Sequence, residues 1–462
     1  MERVRYVRYQ IPTTPAPNLA NHPSRFKVRV SRLQLVKLLL RELVQYRGDL
    51  KVVLSRPCVY GVFSGPTGGF VPREQLCVGC LRCTIQHPEV VQILPNPARQ
   101  ELGDSYFDPE QVETVLYEAA TGRVPVRGAG YGGGFGGTGW DAMWTDMSEI
   151  VRPTRDGIHG RETISTAVDI GRKPTVLEFG PAGELLRGSL PMITLPIPLL
   201  FDWIPGLADE TRAHQALHQA AGTLQTLMIA PASLALELGS HTVPLVKSAE
   251  LDRILSGGER FAMVELDGWD AVAYQQLQAA LPRTVVAVRV PLGAGLVDLA
   301  QRGVGVFHLA ADYHGRTEES FAMQAIRDTH EQLVEAGLRE QVTLIGSGGI
   351  IAAEHVPKAI ISGLDAVALD TALLIACQAQ FQGEVERAGT ARFRLPSFEP
   401  GWGAQRIINL MASWRDQLLE ILGAMGLREV RRLRGELGRA MFQEDLEHEA
   451  FSGIEGYERG SV

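Results

Sequence analysis

Short apolar runs alternate with amphipathic stretches through the middle of the chain. The runs are PMITL (191–195), QTLMI (225–229), VPLV (243–246), AMVEL (262–266), TVVAVRV (284–290), GVFHLA (305–310), VTLIG (342–346) and DAVAL (365–369). Their length and composition suit strands buried on both faces. The connections are long enough for a helix, or for a loop and a helix. Eight such units within 181–385 predict an α/β fold, a (β/α)8 TIM barrel. A doubly wound sheet is the alternative, but it usually has fewer strands.

The flanking segments have their own patterns. Residues 1–50 form an N-terminal segment ending in SRLQLVKLLLRELVQY, an amphipathic helix with Ser31 as N-cap. Residues 51–125 hold a cysteine loop and then FDPEQVETVLYEAATG, a short helix opened by Asp108 and Pro109. Residues 126–180 are Gly-rich, then dense in charge, with aromatic residues that point to specific packing rather than a flexible linker. Residues 386–462 form a C-terminal helical extension, with 3.6-residue periodicity in RIINLMASWRDQLLEILGAMGLREVRRLRGELGRAMF.

Composition narrows the function classes. The net charge of −8 argues against a nucleic-acid partner, which would demand basic excess, although Arg152, Arg155 and Arg161 make a local basic patch. The N-terminus lacks the apolar core of a signal peptide. The most apolar stretch, LPMITLPIPLLFDWIPGL, is too short and too broken by proline to span a bilayer. We therefore expect a cytoplasmic protein with no membrane contact. Four of the five cysteines are clustered, which in a reducing compartment points to a metal or cluster site rather than disulfides.

The cysteine loop carries the most chemistry. Cys77, Cys80 and Cys83 keep the C-x-x-C-x-x-C spacing of a bacterial ferredoxin loop, but His87 precedes Pro88 where such a loop has its last Cys. In two-cluster ferredoxins that last Cys serves the other cluster, so a single cluster needs a ligand from elsewhere. Cys58, nineteen residues upstream of Cys77, is the candidate nearby. The expected metal ligands are Cys58, Cys77, Cys80 and Cys83, holding one 4Fe-4S cluster. A four-Cys zinc site is the alternative, though such sites usually use two separated Cys pairs.

Other motifs differ in specificity. GAGYGG (128–133) matches G-x-G-x-x-G but neither follows a buried strand nor opens a helix, so it reads as an irregular loop. LIGSGGI (344–350) ends the seventh strand, where barrels commonly bind phosphate on backbone N–H groups. Thr371, after the eighth strand, could donate to the same phosphate, whereas Asp370 would repel it and is expected to cap a helix. Lys247, Glu265, Asp267, Arg289, His308, Asp312 and His314 fall at the C-terminal ends of strands, where barrel enzymes place catalytic groups. A cation at Arg289 could stabilise an anionic flavin ring.

The cysteine loop, MWTDMSEIVRPTRDGIHGRE (143–162), the barrel and IGSGGI together resemble the FMN-binding glutamate synthase-related family, in its short form with a ferredoxin-like element. The resemblance implies an FMN-bearing barrel that receives electrons through iron–sulfur clusters from a ferredoxin or an NAD(P)H-dependent reductase subunit. The flavin then reduces 2-iminoglutarate, formed from 2-oxoglutarate and ammonia, to glutamate. Arg289 and Glu265, carried over by position, and Asp312, from its place after the sixth strand, are the candidate catalytic residues. Arg289, Gly346, Ser347, Gly348, Gly349 and Thr371 are the candidate FMN ligands. Residues 376–384 hold one cysteine, Cys377, where the family places three for a further cluster. The first, second and sixth strand loops also depart from the family pattern. No glutaminase segment is expected, so ammonia would arrive free or from a separate glutaminase. A homo-oligomer is expected. A divergent FMN oxidoreductase with another substrate and a non-catalytic electron-transfer or scaffold subunit are the alternatives.

Overall fold

The computed structural model describes residues 9–54, 58–125, 137–145, 163–173, 179–184, 190–256, 260–318 and 320–456. The GAGYGG run and the charged segment 147–162, with Arg152, Arg155 and Arg161, lie outside them. Contacts divide the chain into two compact units. The cysteine unit is Leu19–Glu113 with Pro125–Gly133, and the barrel unit is Met1–Asn18, Thr114–Val124 and Gly134–Val462.

In the cysteine unit, β1 (Phe26–Val30) pairs antiparallel with β2 (Val91–Pro95), Val28 opposite Ile93. The helix Arg32–Gln45 follows Ser31, whose side chain makes no capping hydrogen bond. Leu35 and Leu38 on this helix pack against a small core of Val28, Val62, Val90 and Val91, and Cys58, Cys77 and Cys83 pack on the same core. So few buried apolar residues give little burial energy, the setting in which small units depend on a bound metal or cluster. The helix that begins at Pro109 is capped as the sequence predicts, with Asp108 Oδ1 accepting from Glu110 N at 2.6 Å and Gln111 N at 2.9 Å.

In the barrel unit, β3 (Val168–Gly171) pairs antiparallel with β4 (Met192–Leu195). The barrel follows as β5 (Leu199–Phe201), β6 (Met228–Pro231), β7 (Thr242–Val246), β8 (Met263–Asp267), β9 (Val285–Pro291), β10 (Val306–Ala310), β11 (Thr343–Ser347) and β12 (Ala366–Leu369). Successive strands are parallel, and β12 closes on β5 with Val367 opposite Leu199 and Leu369 opposite Phe201. Closure excludes the doubly wound alternative. Their interiors are nearly all buried, which is why the strands read as unbroken apolar runs.

One expected strand is displaced. PMITL is not a barrel strand. It is β4, outside the barrel, and the first barrel strand is the LLF that follows Pro198. Pro196 and Pro198 separate the two strands, since neither can donate to a ladder. The C-terminal region also departs from one continuous helical pattern. A 25-residue helix, Pro400–Ala424, is followed by short 3-10 turns, the strand Ala440–Phe442 and the helix Gln443–Phe451.

The long helix carries buried polar anchors. Arg406 is fully buried and donates to the carbonyls of Ala376, Ala16 (2.7 Å) and Leu116 (3.4 Å). Burial lowers its pKa to about 10. Beside it, Glu118 is buried among neutral donors: Trp414 Nε1 at 2.9 Å, Gln417 Nε2 at 2.6 Å and Ser413 Oγ at 3.1 Å. Burial pushes its carboxyl up to about 7 despite those bonds.

Candidate functional site

The cysteine unit brings all four predicted ligands to one place. Cys58, Cys77, Cys80 and Cys83 line a small apolar cavity together with Tyr60 and Leu81. The local chain follows from two left-handed residues. Gly79 has φ +70°, and a Cβ there would lie 2.4 Å from the Phe26 ring. Leu81 has φ +57° and opens the short helix Arg82–Gln86 that carries Cys83. Burial raises the Cys77 thiol, and the other three sulfurs add to that rise. Burial likewise raises Cys83, with Cys80 adding. Bringing four thiols together in an apolar shell is costly without an ion to take up their charge, so the donor set fits a metal or cluster. His87 does not line the cavity. Its N–H bonds the Cys83 carbonyl at 2.9 Å. Cys377 is buried in the barrel unit, and burial pushes its thiol up to about 12.

The barrel unit gathers a second constellation at the C-terminal ends of its strands. Arg289 on β9 donates Nε to Glu265 Oε1 on β8 at 2.6 Å, and donates Nη2 to Asp202, the residue after β5. His308 on β10 places Nδ1 3.0 Å from Glu265 Oε1 and 3.2 Å from Arg289 Nη2. Its Nε2 lies 3.0 Å from Ser347 Oγ at the end of β11. Burial alone would raise Glu265, but the charges and hydrogen bonds of His308 and Arg289 outweigh it and hold the carboxyl at about 2. Burial would lower Arg289, and Asp202 and Glu265 together raise it above its ordinary value. Glu265 Oε2 and the Tyr313 hydroxyl are buried with no hydrogen-bond partner. Unpartnered polar atoms of this kind suit a site that a ligand completes.

Other predicted residues are placed differently. Asp312 stands apart from the Arg289 network. Its Oδ1 accepts from His314 N at 3.0 Å and Arg316 N at 2.7 Å, stapling the loop after β10. Gly346 is inside β11, where a Cβ would lie 2.4 Å from Leu364. Gly348 has φ +102°, and a Cβ there would lie 2.3 Å from the Asp312 carbonyl oxygen, so chain packing alone demands glycine. Gly349 has φ +70°. Thr371 gives both its N–H and its hydroxyl (2.9 Å) to Asp370 Oδ1. Burial, with Asp202 adding, pushes the Asp370 carboxyl up to about 7. Lys247 and Asp267 are exposed.

The conserved region in glutamate synthase matches residues 320–428, which include β11, the Ser347–Gly349 turn and β12. The archaeal-type glutamate synthase [NADPH] of Thermotoga sp. (strain RQ2) is 31% identical, over 85% of this chain and 93% of the relative. The chain belongs to the glutamate synthase family. A second relative, the archaeal-type glutamate synthase [NADPH] of Dehalococcoides mccartyi, is 25% identical over 79% of this chain and 86% of its own. Among solved structures, the flavin-binding domain of Baker's yeast flavocytochrome b2 aligns at 13% identity with a TM-score of 0.38, over 66% of this chain and 81% of that one.

Within this member of the glutamate synthase family, Asp202 is the site residue that sequence reasoning missed. The expected first barrel strand, 191–195, lies one strand too early, so the acid that follows the true β5 was not among the strand-end candidates. The signal was present: LLF is an apolar run closed by an acidic residue, as in AMVEL-D and DAVAL-D. No helix among the described residues is long and apolar enough to cross a membrane.

Proposed function

We propose that this chain is an iron–sulfur flavoprotein oxidoreductase of the glutamate synthase class, forming glutamate from 2-oxoglutarate and ammonia. The observation that carries this is the convergence of Cys58, Cys77, Cys80 and Cys83 on one apolar cavity in a chain of that family. Cys58 supplies the ligand that the ferredoxin spacing lacks. Sulfur spacing favours a 4Fe-4S cluster over zinc. The C-x-x-C-x-x-C run supports this, since structural zinc sites usually use two separated Cys pairs.

In the barrel, Arg289 and the Ser347–Gly349 turn would hold FMN. When bound, the flavin supplies hydride-type reduction and the cluster supplies single electrons. The chain's own residues do the positioning. Glu265 and Asp202 fix the Arg289 guanidinium from two sides, so it presents a cation of defined direction. His308 bridges Glu265 and Ser347, with Nδ1 3.0 Å from Glu265 Oε1 and Nε2 3.0 Å from the Ser347 hydroxyl, which holds that hydroxyl at the mouth of the barrel. Thr371 does not fit the phosphate role, because both its donors are spent on Asp370. That mismatch favours a second reading, a divergent family member with a different substrate.

Purification without oxygen, with iron, sulfide and FMN quantified, tests the proposal. About four irons and one FMN per chain, with glutamate formed from 2-oxoglutarate and ammonia under reducing conditions, is the expected result. Iron and FMN without glutamate formation selects the second reading. Zinc with no flavin rejects both.

A further inference from the structure

Tyr313 carries a hydroxyl for which the fold offers no partner. The side chain is 5% exposed, and its oxygen is buried without a hydrogen bond among the described residues. Buried tyrosine hydroxyls usually find a partner, as donor or as acceptor. The main chain at this point is anchored. Ala311 N bonds the Ser347 carbonyl at 3.0 Å, and Tyr313 N bonds the Glu386 carbonyl at 2.7 Å. A fixed stretch of loop, just past β10, therefore carries the ring.

The hydroxyl lies over the barrel mouth. The charges of Asp370, Asp202 and Arg289 all bear on it. These residues belong to the ends of β12, β5 and β9. Around the ring, β9 adjoins β10 on one side, while β12 and β5 follow β11 on the other. A group that feels all three stands toward the barrel axis, beside the Arg289 network. Burial raises the phenol above its ordinary pKa, with Asp370 and Asp202 adding and Arg289 opposing, so the hydroxyl keeps its proton and remains a donor. The same carboxyls choose its acceptor. A phosphate or carboxylate oxygen brought here would meet their repulsion, whereas an uncharged carbonyl oxygen would not.

We infer that Tyr313 is a ligand-binding residue of the barrel site, its hydroxyl donating one hydrogen bond to an uncharged carbonyl oxygen of the bound molecule. The inference rests on the functional reading above, which supplies two such oxygens: a ring carbonyl of FMN and the keto oxygen of 2-oxoglutarate. Burying the hydroxyl unpaired is costly, and the incoming carbonyl offsets that cost. Specificity follows from the same bond, because an analogue without the carbonyl leaves the donor unpaired.

The test compares the full chain with its Tyr313→Phe variant, which removes the oxygen and keeps the ring. Urea unfolding without added ligand reads stability. Quenching of flavin fluorescence reads FMN affinity, and calorimetry reads the affinity for 2-oxoglutarate and for glutarate, which lacks the keto oxygen. The unfolding midpoint is expected to hold or rise, because the variant loses an unpaired buried hydroxyl. Affinity for one probe is expected to fall about tenfold. A loss for FMN assigns the oxygen to the flavin ring. A loss for 2-oxoglutarate but not for glutarate assigns it to the substrate. A lower midpoint overturns the inference, since the hydroxyl would then be bonded within the fold. Unchanged affinity for both FMN and 2-oxoglutarate also overturns it, and leaves the functional reading standing if the wild type binds both. A wild type that takes up no FMN, yet loses 2-oxoglutarate affinity on Tyr313→Phe, supports the residue and rejects the flavin reading instead.

Discussion

Arg289 and Glu265 stand on adjacent barrel strands with Nε 2.6 Å from Oε1, and the second prong of the guanidinium is taken by Asp202. One cation thus serves two buried carboxylates. Glu265 is fully buried and stays ionised because of Arg289 and His308, so the group is electrically interdependent.

Removing the cation alone should therefore be expensive. Arg289→Met strips Asp202 and Glu265 of their shared cation, leaving His308 beside Glu265, and we expect a loss of about 3–5 kcal/mol. Arg289→Lys should recover only part of this, because an ammonium cannot reproduce the fork. The triple variant Arg289→Met/Glu265→Gln/Asp202→Asn should regain most of the stability while remaining inactive. Urea unfolding read by fluorescence checks the series. A stable Arg289→Met single variant would contradict the pairing.

The cysteines separate by role. Cys58→Ser should lower bound iron and bleach the visible absorbance of the anaerobically purified protein. Cys377→Ser should leave both unchanged, because Cys377 is buried in the barrel unit and lines no part of the cysteine cavity. Iron retained in full by Cys58→Ser would remove Cys58 from the ligand set.

Much of this was legible before the structure, for physical reasons. Parallel strands buried on both faces leave apolar runs, and seven of the eight barrel strands overlap the runs read as strands. The eighth failed because β4 and β5 lie three residues apart, joined by PIP, and both are apolar; pattern cannot choose between them. The cysteine spacing named its own loop, while the approach of Cys58 depends on a turn that spacing does not encode. Glu265, Arg289 and His308 could be placed at strand ends, but their mutual bonds could not, because these require barrel stagger. Asp370 caps the helix after β12 as expected, but the cap takes both donors of Thr371, including the hydroxyl expected to serve phosphate.

That last contact yields a direct prediction. A carboxylate at Asp370 occupies the donors a phosphate would use and repels phosphate charge. Asp370→Asn should remove the repulsion, and FMN should bind at least about tenfold tighter, a change worth about 1.4 kcal/mol. Quenching of flavin fluorescence on titration measures it. An unchanged affinity would place the phosphate away from Thr371.

Glu118 gives a pH signature of opposite sense to an ordinary salt bridge. Its folded carboxyl titrates at about 7 against an ordinary 4.5, because burial disfavours the anion. Between those two values the folded chain holds a proton that the unfolded chain has lost, so stability falls as pH rises from about 4.5 to about 7 and levels off above. A shift of this size corresponds to about 3 kcal/mol, and Asp370 adds in the same direction. Glu265 acts oppositely, but only below about pH 4.5, where its unfolded carboxyl gains a proton before the folded one does. Because the Trp414 indole donates to Glu118, tryptophan emission should change with an apparent pKa near 7. Glu118→Gln should abolish that transition and lessen the fall in unfolding stability between pH 5 and 8, leaving the part that Asp370 contributes. A wild-type protein that gains stability across this window would show that Glu118 is ionised in the fold and held by its three donors.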